Sequence, residues 1–234
     1  MAGRWDTITV DGGAMRCYLS GPGGGPSPVV VVIQHAGGVD DLVQSMTDVF
    51  ADAGFVGIAP DLYYREDPST SDDALTRMGR LRDANIVADV SAAIDHVKTL
   101  SEARADRIGI TGFCMGGRVA YLMATRLAEL RASVVFYGGN IFVPWGEGAA
   151  PFKGTADIAC PVLGLFGEDD GNPNPADVAR LDAELTRLGK AHEFHSYPGA
   201  GHAFMNEGRP SYRAEAAKDA RQKAVAWFDR HLKG

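Results

Sequence analysis

Arg107-Ile108-Gly109-Ile110-Thr111-Gly112-Phe113-Cys114-Met115-Gly116-Gly117 reads as a β-prone strand that ends in a glycine-flanked cysteine and passes at once into a helix. Gly112 to Gly116 has the form G-x-S-x-G with cysteine in the serine position, in the strand-to-helix context that this motif requires. The glycines have a mechanical reason. A nucleophile on so sharp a turn sits in a strained backbone conformation, and neighbours two residues away on either side must lack side chains for the chain to pass. The helix that follows aims its positive end at the Cys114 sulfur, which favours the thiolate. A free cysteine is more often a small buried apolar residue; the glycines and the residues downstream assign Cys114 to catalysis instead. Cys17 and Cys160 have no such setting and read as structural.

Outward from this turn, strand and helix alternate. Residues 29–33 form an unbroken β-branched run, as in a strand covered on both faces of a parallel sheet. Residues 56–59, 107–111, 133–137 and 161–166 read as further short strands, and helical spacing occupies 42–53, 85–100, 115–130 and 176–188. Residues 192–197 look like a last strand and 212–232 a closing helix. Residues 7–10 and 15–19 suit an antiparallel hairpin at one sheet edge, and the Gly/Pro-rich 21–28 a turn. The pattern predicts the α/β class, specifically an α/β-hydrolase fold in one domain over residues 1–234. Its mostly parallel central sheet carries helices on both faces and receives ligands at the carboxyl ends of the strands.

That fold places its catalytic groups in the order nucleophile, acid, histidine. Leu163-Gly164-Leu165-Phe166-Gly167-Glu168-Asp169-Asp170 ends a strand on acids, and Tyr197-Pro198-Gly199-Ala200-Gly201-His202-Ala203-Phe204 sets His202 in a glycine-rich turn. Of the six histidines only His202 occupies the expected place. It would exchange a proton with Cys114, while Asp170 would fix the imidazole tautomer. The adjacent Asp169 is the alternative orienter; the three-residue step from Gly167 favours Asp170. Acyl transfer also needs two backbone N–H groups for the oxyanion, one after the nucleophile and one from the loop after the third strand. These would be Met115 and Ala36, the latter in Gln34-His35-Ala36-Gly37-Gly38, a stretch that otherwise reads as a plain turn.

Composition narrows the function classes. With 234 residues and 45% hydrophobic content, the chain can bury a sizeable core without disulfides or metals. A formal net charge of −7 argues against a nucleic-acid surface. The first residues lack the apolar run of a signal peptide, and no apolar span reaches the roughly 18 residues that would cross a bilayer, so a soluble cytoplasmic protein without membrane partners is expected. Three cysteines at unrelated spacings fit neither a disulfide framework nor paired metal ligands.

Pro60-Asp61-Leu62-Tyr63, the cysteine turn, Tyr137-Gly138, and His202-Ala203-Phe204-Met205-Asn206 leading to Arg209-Pro210-Ser211-Tyr212 and Ala216-Ala217 carry a resemblance over nearly the whole chain. The chain resembles the dienelactone hydrolase family, also called carboxymethylenebutenolidases. That resemblance implies hydrolysis of a lactone or small ester through an acyl-cysteine, no cofactor, and a monomer or weak homodimer. Two positions depart from the family's best-known members. His35 stands where they carry a glutamate that engages the resting cysteine, and Asn206 where they carry a substrate-binding arginine.

His35, Arg65, Tyr137, Phe204 and Asn206 are the candidates for the substrate pocket, with Tyr63 and Tyr64 beside them. His35 either supports the thiolate or points to solvent. Arg77, Arg80 and Arg82 lie in residues 66–82, a segment placed to cover the site, though such arginines more commonly form a solvated face. An activated thiolate also oxidises, which leaves a non-hydrolytic binding or redox-responsive protein on the same scaffold as the alternative.

Overall fold

In the computed structural model, residues 3–67, 69 and 71–234 are described. The β-branched run becomes a central strand. β3 (Ser27–Ile33) lies between β4 (Val56–Pro60) and β5 (Ala103–Phe113), parallel to both, with Val29 to Ile33 entirely buried. Its side chains alternate between two packing layers, as a period of two requires. Val29, Val31 and Ile33 join Ile86, Val90 and Val119 on one face, and Val30 and Val32 join Phe50, Ala224 and Phe228 on the other.

β1 (Arg4–Val10) and β2 (Gly13–Ser20) form the expected antiparallel hairpin at one edge. β6 (Ala132–Phe136), β7 (Val162–Gly167) and β8 (His192–Tyr197) extend the sheet in parallel on the other side. The eight strands run in the order β1-β2-β4-β3-β5-β6-β7-β8. α1 (Asp41–Asp52) and α6 (Ala214–Leu232) cover one face; α3 (Asp83–Lys98), α4 (Met115–Ala124) and α5 (Pro175–Arg187) cover the other. This is the layout of the α/β-hydrolase fold, so the loops after β3, β5, β7 and β8 gather at one end of the sheet. Among the described residues no helix is long and apolar enough to cross a membrane.

Most boundaries shift by one to three residues from expectation, and some differ more. Residues 115–130 do not form one helix, because α4 stops at Ala124. There the N–H groups of Thr125 and Arg126 turn to carbonyls three residues back, and the Thr125 hydroxyl donates to the Leu122 oxygen at 2.7 Å. β5 starts at Ala103 rather than Arg107, since Ala103 pairs with Ser27 across an irregularity in the ladder. Residues 66–82 contain a short helix, α2 (Ala74–Arg80), whose first turn is capped by the Asp73 carboxylate.

One ion pair is buried outright. Arg118 on α4 has no exposure and donates to both Asp83 oxygens at 2.6 and 3.0 Å. Its remaining donors reach the carbonyls of Asn140 at 3.0 Å and Val143 at 2.7 Å, while Asp83 also accepts from the Trp145 N–H at 3.0 Å. The Trp145 ring lies 4.0 Å from the guanidinium. A charge withdrawn from water is tolerable only when every polar group finds a partner, and removing one member strands the other. Arg118→Met should therefore lower unfolding stability by about 3–5 kcal/mol in urea titration, with part of the loss restored by adding Asp83→Leu. An Arg118→Met midpoint equal to that of the wild type would contradict this account of the core.

Candidate active site

β5 ends where the chain must reverse into α4, and Cys114 takes the turn at φ 57° and ψ −116°, a conformation that side chains rarely adopt. Space explains the glycines. A Cβ on Gly112 would lie 2.2 Å from the Gly116 carbonyl oxygen, and one on Gly116 would lie 2.4 Å from that of Ile33. Any side chain at either position would force the strand and helix apart. Cys114 is half-buried, and its N–H is anchored on the Phe136 oxygen at 3.1 Å.

The loops after β7 and β8 bring the acid and the histidine to the same place. Asp170 is 4% exposed, and its Oδ2 accepts from His202 Nδ1 at 2.8 Å, while its Oδ1 accepts from the Asn172 N–H at 2.8 Å. Asp169 is exposed and its N–H bonds the Ala200 oxygen, so it is Asp170 that meets the imidazole. The Ser211 hydroxyl donates to the His202 carbonyl, and the Tyr137 ring packs edge-on against the imidazole at 5.3 Å.

Cys114 lines the same cavity as His202 and its charge acts on the imidazole. Burial alone would lower the pKa of His202, but the hydrogen bond to Asp170 and the negative charges of Cys114 and Asp170 outweigh it and push the group up to about 10. The sign follows from linkage. A protonated His202 stabilises the fold fully below its ordinary value of 6.5, and that contribution is lost as pH rises through about 10. Cys17 and Cys160, by contrast, are buried and pushed up to about 12, which makes them poor nucleophiles.

These groups open on a cavity of about 770 Å³. Cys114, Asp170, His202, Ala36 and Met115 line it, as do His35, Tyr137 and Asn206. Among the described residues, the N–H groups of Ala36 and Met115 have no protein acceptor, which leaves both available to a ligand. Leu42, Leu75, Met78 and Trp145 supply an apolar wall, with α2 at the mouth. Among the described residues no cluster of His, Cys, Asp and Glu could hold a metal ion.

Two pocket candidates lie elsewhere. Arg65 is drawn away by Asp89 and by Asp11 at 2.8 Å, and Phe204 is fully buried between Tyr137 and Tyr197. Tyr63 and Tyr64 do not line the cavity either. Arg77 and Arg80 pair with Glu66, and Arg82 caps carbonyls of Gly79 and Leu81, the surface role common to such residues. His35 fits neither expectation. Its Nε2 lies 2.8 Å from Asp40 Oδ2 and its Nδ1 accepts from the Gly37 N–H at 3.0 Å, so both ring nitrogens brace the turn and neither is free for the sulfur. Asn140, Asn172 and Trp145 are lining residues that no sequence signal marked. Arg209, also in the lining, belongs to a stretch that the family resemblance had quoted without a role.

The sequence profile of the dienelactone hydrolase family matches residues 15–232. A "putative carboxymethylenebutenolidase" of Methylorubrum extorquens is 34% identical, covering 94% of this chain and 78% of its own length. A "probable 2-oxo-3-(5-oxofuran-2-ylidene)propanoate lactonase" of a Bradyrhizobium species is 30% identical over 98% of this chain and 95% of its own. In three dimensions, the crystal structure of a "putative dienelactone hydrolase" from Klebsiella pneumoniae superposes with a TM-score of 0.88 at 32% identity, covering 98% of each chain.

Because the negative charge of Cys114 contributes to the elevation of His202, removing that charge should relax the imidazole, a coupling between the two side chains. NMR of the imidazole should show its midpoint moving down toward neutrality in Cys114→Ser; an unchanged midpoint would contradict the coupling.

Proposed function

The chain belongs to the dienelactone hydrolase family, a family of carboxylic ester and lactone hydrolases, and we propose that Cys114, His202 and Asp170 carry out the cleavage through an acyl-cysteine intermediate. The observation that carries the reading is the Asp170–His202 hydrogen bond at 2.8 Å, with Cys114 lining the same cavity as both. No observation favours the non-hydrolytic alternative.

The Cys114 thiolate adds to the substrate carbonyl, and the electron pair of the C=O bond moves to oxygen. The N–H groups of Ala36 and Met115 receive that oxyanion, where fixed dipoles are worth more than solvent. As the tetrahedral species collapses, the alkoxide leaves with the proton held by His202. Asp170 keeps Nδ1 protonated throughout and so presents Nε2 to the reaction. Acylation removes the sulfur's charge, and with it two of the causes that raise His202. The imidazole then becomes a competent base at neutral pH and takes a proton from the attacking water. Collapse of the second tetrahedral species returns the thiolate and releases the acid.

The substrate class follows from cavity and kin. About 770 Å³ with an apolar wall suits a compact ester or lactone, and the Bradyrhizobium relative is named for a lactone. Cys114→Ala should reduce turnover of small activated esters and lactones at least roughly a thousandfold. Progress curves across such a panel give the answer, and undiminished hydrolysis by this variant would sink the proposal.

A further inference from the structure

Tyr63 lies behind the cavity wall, 3% exposed, on the turn that follows β4. Its hydroxyl donates to the Ala36 carbonyl at 3.0 Å and sits 3.6 Å from the Met115 sulfur. One side chain thus touches both residues whose N–H groups would receive the oxyanion. A second bond closes the same seam one step back, where the Leu62 N–H donates to the Oε1 of the fully buried Gln34 at 3.1 Å.

The loop after β3 needs such support. It contains Gly37 and Gly38, with Gly38 at φ 94°, and the His35 bonds that brace it are all local to the turn. The ladder between β3 and β4 runs only from Val29–Val56 to Val31–Ile58, well short of Ala36. Tyr63 itself is held firmly. Its N–H donates to Asp61 Oδ1 at 3.0 Å, and the Arg77 guanidinium, paired with Glu66, lies 4.0 Å over its ring. Burial, above all, keeps the phenol protonated, so it remains a donor across the working pH range.

We propose that Tyr63 is a positioning residue for the oxyanion hole, its hydroxyl pinning the Ala36 peptide and its contact with Met115 fixing the spacing of the two donors. The inference rests on the assignment of Ala36 and Met115 made above. Its physical basis is that an oxyanion hole works through donors already in place, and a displacement near 1 Å is enough to slow the reaction severely.

Tyr63→Phe removes the hydroxyl and keeps the ring under Arg77. The expected result is a fall of roughly tenfold in kcat for p-nitrophenyl acetate with KM unchanged. A trifluoromethyl ketone, whose carbonyl carbon bonds to the Cys114 sulfur while its oxygen takes the negative charge, should bind weaker by a similar factor. Iodoacetamide alkylates the same sulfur by displacing iodide and forms no oxyanion, so its rate should match wild type. A kcat within twofold of wild type overturns the proposal, as does an alkylation rate that falls in step with kcat. Turnover that survives Cys114→Ala in the same assay overturns both this inference and the assignment on which it rests.

Discussion

The constraint on which the rest depends is the close crossing of backbone at the cysteine turn. Gly112 and Gly116 stack with no room for a Cβ, and Gly116 in turn presses on the carbonyls of Ile33 and Gln34. Three consequences come from one contact. Cys114 is driven to positive φ and held half-exposed at the end of β5. Met115, the first residue of α4, where helix N–H groups lack partners within the helix, is left in the cavity wall. The loop after β3, which carries Ala36, is brought against the same helix, so that Tyr63 can reach both sides.

A second chain of contacts ties this turn to the buried ion pair. Arg118, one turn along α4, holds the Asn140 carbonyl. The Asn140 N–H donates to Asn172 Oδ1 at 3.1 Å, and Asn172 Nδ2 returns a bond to Asn140 Oδ1 at 3.2 Å. The Asn172 N–H then donates to the Asp170 oxygen that His202 does not use. The carboxylate that orients the imidazole is therefore anchored, through two asparagines, on a buried charged pair whose arginine has no exposure. That fixity keeps the acceptor on the imidazole, where an acceptor free to swing into water would stabilise the imidazolium less.

Much of this was legible in the sequence because the signals are local. A β-branched run, a glycine two residues either side of a cysteine, and a histidine in a glycine-rich turn after the last strand each report a steric or chemical need that survives without coordinates. The unread parts depend on distant partners. Arg65 is set by Asp89, 24 residues along the chain, and Phe204 by rings from two different strand ends. His35 lines the cavity, but its ring partners, Gly37 and Asp40, could not be read from the sequence. Trp145 lies in an irregular segment with no periodicity to expose it; its place is set by backbone bonds to Asp83 and by its ring against Arg118. His35 and Asn206 both lie in the cavity wall.

The most direct measurement is acid quenching during turnover of a slowly deacylating ester, followed by mass spectrometry of the proteolysed chain. The account predicts that the peptide containing Cys114 gains the mass of the acyl group, and that those containing Cys17 and Cys160 do not. Sustained turnover with the acyl group on another residue, or with none on Cys114 at saturating substrate, would contradict it.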